Sequence, residues 1–133
     1  MGALKGVLDA WVVMAVLRAE PAAKRGRALM GTGVGMSSIN LGEVYYALVR
    51  SHGRAIADDR AAAVRRAIRV EDPDWRLVTA AARLKAGGGI SYADAFCVAT
   101  AERHDAPLYT GDPEILALDT PVKRIDLRAS SSR

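Results

Sequence analysis

Residues 91–112 read SYADAFCVATAERHDAPLYTGD, and this stretch decides the fold. Its first part, Ser91 to His104, has the composition of a helix. Ala93, Ala95, Phe96, Cys97, Val98, Ala99 and Ala101 leave that helix apolar or small nearly all round. Such a helix belongs under cover rather than on a surface. Pro107 to Tyr109 follows as a short strand, and Asp112 comes directly after Thr110 and Gly111. The stretch therefore joins a buried helix to a strand that ends in a carboxylate.

Outward from it, the same alternation recurs. Gly6-Val7-Leu8 is a short apolar run closed by Asp9, the pattern of a buried strand. Trp11 to Glu20 reads as a helix halted at Pro21, and Ala22 to Met30 as a second helix. Gly31, Gly33 and Gly35 mark a flexible connection, not a phosphate loop, since they match neither GxGxxG nor GxxxxGK and precede a strand. That second strand is predicted at Met36 to Ile39. Leu41 to Ser51 places Leu41, Val44, Tyr45, Leu48 and Val49 on one helical stripe, stopped by Gly53. Arg54 to Ala67 is a charged, Ala-rich helix with Ile56, Ala63, Val64 and Ala67 on one side. Ile68 to Val70 is a third strand, and Pro73 to Ala86 a helix ended by Gly87-Gly88-Gly89. Val122 to Ile125 is the fifth strand. Short strands alternating with helices predict an α/β protein with a parallel sheet covered on both faces.

Composition bounds the function. The 133 residues carry 19 Lys+Arg against 15 Asp+Glu, a formal charge of +4, and half are hydrophobic. One domain is expected over residues 1–128, with 129–133 as a tail. The hydrophobic content excludes a disordered chain. A single cysteine, Cys97, excludes an internal disulfide and a CxxC metal site, and fits a reducing, cytoplasmic setting. No apolar run reaches the roughly 18 residues of a membrane span. The apolar stretch up to Val16 holds Asp9 and lacks a basic leader, so it reads as folded structure and not as a signal peptide. The basic balance permits an anionic partner. Arg50, Arg54, Arg60, Arg65, Arg66 and Arg69 form a solvated face, part of which could hold the phosphates of an anionic partner. His52 and His104 sit near helix ends, as surface or dipole partners.

In a parallel sheet, ligands gather at the carboxyl ends of the strands. Four acids fall there: Asp9 after the first strand, Glu43 after the second, Asp94 opening the buried helix, and Asp112 after the fourth strand. Each also has a purely structural reading. Asn40-x-x-Glu43 and Ser91-x-x-Asp94 fit capping boxes. Asp112-Pro113 fits an N-cap with proline behind it, and Asp9 could cap the next helix. Taken together, the four would face one sheet edge and raise one another's pKa unless a cation neutralised them. Oxygen ligands without His or Cys select Mg²⁺ or Mn²⁺. The usual work of such a site is phosphoryl chemistry, in which the metal activates water.

Five segments, in order, carry a family resemblance: Val7-Leu8-Asp9-Ala10, Ala19-Glu20-Pro21, residues 38–46 (SINLGEVYY), Ser91-Tyr92-Ala93-Asp94-Ala95-Phe96 with Ala99-Thr100-Ala101, and Leu108-Tyr109-Thr110-Gly111-Asp112-Pro113. The sequence resembles PIN-domain endoribonucleases, specifically toxins of the VapC type. The resemblance implies a three-layer α/β/α sandwich with a five-stranded parallel sheet. It implies an Mg²⁺- or Mn²⁺-dependent endoribonuclease with Asp9, Glu43, Asp94 and Asp112 as catalytic acids. Asp9, Asp94 and Asp112 would be the metal ligands. It also implies an RNA substrate, a small antitoxin partner and a homodimer. Thr110 matches the small polar residue before the last acid. Trp11 departs from the family, which often has Ser or Thr there. Thr110, Trp11 and Tyr46 are the candidates for shaping the ligands from behind. Two competing readings are a PIN-like partner-binding module without strong catalysis, and an Mg²⁺-dependent phosphotransfer protein. The second lacks the Asp-x-Asp or paired acids it would need after the first strand.

Overall fold

The strands are short, and each of the first four is followed by one or two helices that return the chain to the start of the next. The computed structural model describes residues 2–128, so the tail expected at 129–133 lies outside the described residues. In chain order the elements are β1 (Gly6–Leu8), α1 (Ala10–Leu17), α2 (Ala23–Leu29), β2 (Val34–Ser37), α3 (Ser38–His52), α4 (Arg54–Ala67) and β3 (Arg69–Glu71). Then come α5 (Trp75–Ala86), α6 (Tyr92–His104), β4 (Leu108–Thr110), α7 (Pro113–Leu116) and β5 (Arg124–Asp126). All strand pairs are parallel, in the order β3-β2-β1-β4-β5. The expected five-stranded parallel sheet is thus present.

Alternation along the strands sends side chains to two cores. Leu8 and Met36 join Val12, Val13, Val44 and Leu48 beneath α1 and α3. Val7 and Leu108 face the other way, onto Cys97, Val98 and Ile115. Both faces of the sheet are covered, as parallel sheets require. The α6 helix is the deepest: Asp94 through Ala101 are all buried, as its uninterrupted small and apolar sequence predicts. Its N-cap is Ser91, whose hydroxyl accepts from the Asp94 N–H at 3.1 Å.

The second strand begins earlier than its sequence suggests. Gly35 is not in a flexible connection but inside β2, where a Cβ would sit 2.4 Å from the Arg69 carbonyl oxygen and 2.8 Å from Leu4. Glycine is there because β3 and Leu4 approach closely. Consequently α3 starts at Ser38, with Ser37 as its cap accepting from the Ile39 N–H. The α5 helix starts at Trp75 rather than Pro73, because Asp74 caps it through the Leu77 N–H at 2.9 Å. The third, fourth and fifth strands each lie one or two residues later than expected. Ile56, expected on the buried side of α4, is 40% exposed; Ala57 and Val64 fill that side. His104 is no surface residue. Its Nδ1 accepts from the Leu4 N–H at 3.0 Å and its Nε2 lies 2.7 Å from Glu71 Oε1.

The strand order puts β1 at the centre, with the chain leaving toward β2 on one side and arriving as β4 on the other. The crevice at the carboxyl ends of β1 and β4 is the sheet's topological switch point, where open α/β sheets bind ligands.

Candidate metal centre

Asp9 stands at that crevice, one residue past β1. It occupies the N-cap position of α1 with extended backbone, yet its side chain makes no capping hydrogen bond. Its carboxylate instead accepts from the Thr110 hydroxyl at 2.7 Å, through Oδ2. Thr110 in turn accepts from the Asp112 N–H at 2.9 Å. One hydroxyl therefore ties the end of β1 to the turn after β4. The pair is buried: Asp9 is 3% exposed and Thr110 fully enclosed.

Glu43 is held differently. Asn40 is not a helix cap but the third residue of α3, fully buried. Its Nδ2 donates to Glu43 Oε1 at 3.0 Å and to the Ala93 carbonyl at 2.9 Å, fastening α3 to the first turn of α6. Its Oδ1 is buried with no hydrogen-bond partner. Asp94 comes from the first turn of α6 and is 6% exposed. Asp112 caps α7 by accepting from the Glu114 N–H at 2.9 Å through Oδ1. The Arg124 guanidinium holds the far end of that short helix, donating to the carbonyls of Ile115, Leu116 and Leu118.

Asp9 and Asp94 feel the charge of the other acids. Burial pushes the Asp9 carboxyl up to about 7; the Thr110 hydrogen bond opposes this, and the charges of Asp94, Glu43 and Asp112 add to it. Asp94 is pushed up to about 6, by burial first and by Asp112 next, with Ser91 opposing. Below them the Cys97 thiol is driven well up by burial and by the field of the same four carboxylates. The closest cluster among the described residues includes an acid that sequence reasoning missed. Carboxylate oxygens of Asp94, Asp112 and Glu114 lie within 4.8 Å of one another. The available signal was its place in the first turn of α7, two residues after the cap Asp112.

The residues fit a hard divalent cation. The donor set is all carboxylate oxygen, the choice of Mg²⁺ or Mn²⁺ over softer metals. Protein donors engage one oxygen each of Asp9, Glu43 and Asp112, which orients the carboxylates. Buried, mutually repelling acids of this kind are neutralised by a cation or by protons.

Comparison with known proteins identifies the fold. Residues 6–121 match the PIN domain family. The chain belongs to the PIN domain family. A search of curated protein sequences finds no match. Among solved structures, the PIN chain here is similar to one in the DNA-bound VapBC complex of Salmonella typhimurium. The two share 16% identity and a TM-score of 0.76, over 93% of this chain and 98% of that one. It is similar to VapC20 of Mycobacterium tuberculosis, described as a sarcin-ricin loop cleaving toxin, at 24% identity and TM-score 0.71 over 84% and 93% of the two chains. FitAcB of Neisseria gonorrhoeae gives 20% identity and TM-score 0.73 over 92% and 98%. At these identities the likeness establishes the PIN fold.

Neither Tyr46 nor Trp11 makes a hydrogen bond to the acids among the described residues. Tyr46 is 57% exposed on the outer side of α3. Trp11 packs its indole over Gly111, where an added Cβ would fall 2.3 Å from the ring. Trp11 therefore braces the turn that carries Asp112, from the flank of the large core under α1.

Proposed function

We propose that this PIN domain is an Mg²⁺- or Mn²⁺-dependent endoribonuclease and the toxin of a type II toxin–antitoxin pair. One observation carries the reading: Asp94, Asp112 and Glu114 converge within 4.8 Å beside a buried Asp9, with no His or Cys among them. Asp9, Asp94 and Asp112 are the proposed metal ligands, Glu43 the fourth catalytic acid, and Glu114 an additional one. A divalent cation held there would stabilise charge on the scissile phosphate and activate the attacking water. Thr110 keeps Asp9 in place, and its hydrogen bond opposes the upward push of burial on that carboxyl. Asn40 turns Glu43 into the site and locks α3 to α6, fixing the spacing of two acids. The enclosed floor of α6 excludes bulk water from below.

The toxin context is supported by the kind of relative the fold matches, among them VapBC complexes from several bacteria. A small antitoxin and a second copy of the chain are the proposed partners, and the cytoplasm the proposed location. No helix among the described residues is long and apolar enough to cross a membrane. Induced expression should arrest growth and degrade RNA, Asp9→Asn should do neither, and the product of an adjacent small gene should restore growth and co-purify. Growth arrest by Asp9→Asn equal to that of the wild type would remove the nuclease from the explanation. A neighbouring product that neither binds nor rescues would remove the toxin–antitoxin context alone.

A further inference from the structure

The proposed reaction leaves one surface cavity unused. It has a volume of about 690 Å³ and opens beside the acids, with Pro113 and Glu114 forming its near wall. That is within the roughly 300–1,000 Å³ of ordinary ligand sites. Leu84 and Leu118 supply an apolar surface, and Gly87-Gly88-Gly89 the opposite rim. The triple glycine does more than stop α5. Gly88 and Gly89 have φ of 83° and 89°, and a Cβ on either would meet nothing within 4 Å. The rim is thus bare backbone facing open space. Arg83 is the cavity's one cation, against Glu114 and Asp119, and it also lines the adjoining cleft, where Arg103 is paired with Asp74 and Arg76 stands with Glu102; Arg83 itself forms no ion pair among the described residues.

We propose that this cavity is a subsite for an unpaired nucleotide of the RNA, next to the phosphate that is cut. The proposal rests on the nuclease reading and deepens it. Glu114 belongs both to the acid cluster and to the cavity wall, so a chain whose phosphate lies at the acids must pass the cavity mouth. Carboxylates repel phosphates, so the neighbouring phosphate needs a cation, and Arg83 is placed to give one. An apolar surface accepts the face of a base, and exposed backbone can meet its edges. Unpaired RNA is recognised by these two kinds of contact.

Binding of a short fluorescent single-stranded RNA, measured with Ca²⁺ in place of the catalytic ion, tests this. Arg83→Ala should weaken binding about tenfold, as loss of a charged hydrogen bond does, and flatten the salt dependence by about 0.7 in the log–log slope. Ala117→Phe, which fills the cavity without removing charge, should weaken binding about as much and leave the slope unchanged. Lys24→Ala, on α2 and outside both clefts, should change it less than about twofold, the usual scale for a remote surface charge. The melting shift produced by Mn²⁺ should persist in all three, showing the acids intact. Wild-type binding unaffected by both Arg83→Ala and Ala117→Phe would overturn the subsite and leave the nuclease standing. An equal loss in Lys24→Ala would overturn it in favour of diffuse charge. A wild-type protein that binds no RNA would overturn the subsite and the nuclease reading together.

Discussion

Replacing Asp9 by asparagine should make the metal-free protein more stable at pH 8, while abolishing its response to metal. Asp9 titrates near 7 in the folded chain against 3.8 for an ordinary aspartate. The native state therefore holds this proton more tightly than the unfolded chain does. Between about pH 4 and pH 7 the folded protein binds more protons than the unfolded one, so its stability falls as pH rises through that window. Above pH 7 the full cost of the buried charge is present, on the order of 4 kcal/mol. Asp94, pushed up to about 6, acts in the same direction over a slightly lower range. Asparagine keeps an oxygen for the Thr110 hydroxyl and removes the charge, so Asp9→Asn should recover about 2–4 kcal/mol at pH 8 and little at pH 4. The assay is urea unfolding in EDTA at pH 4.5, 6 and 8, for wild type and variant. The wild type should weaken steadily and the variant much less. Equal stability of the two proteins at pH 8, with a flat wild-type profile, would refute the strained acidic cluster.

Four further outcomes follow from particular contacts. Mn²⁺ at a hundredfold excess over Kd should stabilise the wild type by about 2.7 kcal/mol at pH 8 in thermal melts, and less at pH 5, where protons compete. Thr110→Val keeps the shape but removes both the hydrogen bond to Asp9 and the acceptor for the Asp112 N–H, and should lower Mn²⁺ affinity by about tenfold to a hundredfold in calorimetry. Gly111→Ala drives a methyl into the Trp11 indole and should cost about 1–3 kcal/mol, much of it recovered in the Trp11→Ser background, as a double-mutant cycle would show. Asn40→Ala leaves Glu43 unheld and the Ala93 carbonyl without its donor, and should cost about 1–3 kcal/mol in urea unfolding and reduce activity.

The parallel sheet was legible because its central strands β1 and β2 are fully buried and its helices carry clear periodicity or, in α6, none at all. The deepest helix announced itself by having no polar face. Boundaries were less legible where a side chain, not a propensity, sets them. Ser37 and Asp74 begin their helices through single hydrogen bonds, and Gly35 reads as a linker in sequence although the contact that requires it comes from Arg69, far along the chain. Spacing after strands placed Asp9, Glu43, Asp94 and Asp112 at one edge of the sheet. It could not reveal that Asn40 faces inward, because an Asn three residues before a Glu reads equally well as a cap. Nor could it rank Glu114, whose proximity to Asp94 depends on the crossing of α6 and α7. Trp11 looked anomalous as a neighbour of Asp9, and its role is visible only once Gly111 lies beneath it.

The central claim is that these carboxylates hold a divalent cation for RNA cleavage. It is tested most directly by incubating purified wild type and Asp94→Asn with RNA in Mn²⁺ or EDTA and resolving the fragments. The account predicts discrete internal cuts by the wild type in Mn²⁺ alone, and a loss of orders of magnitude in folded Asp94→Asn. Cleavage that persists in EDTA, or in Asp94→Asn freed of contaminating nuclease, would contradict it.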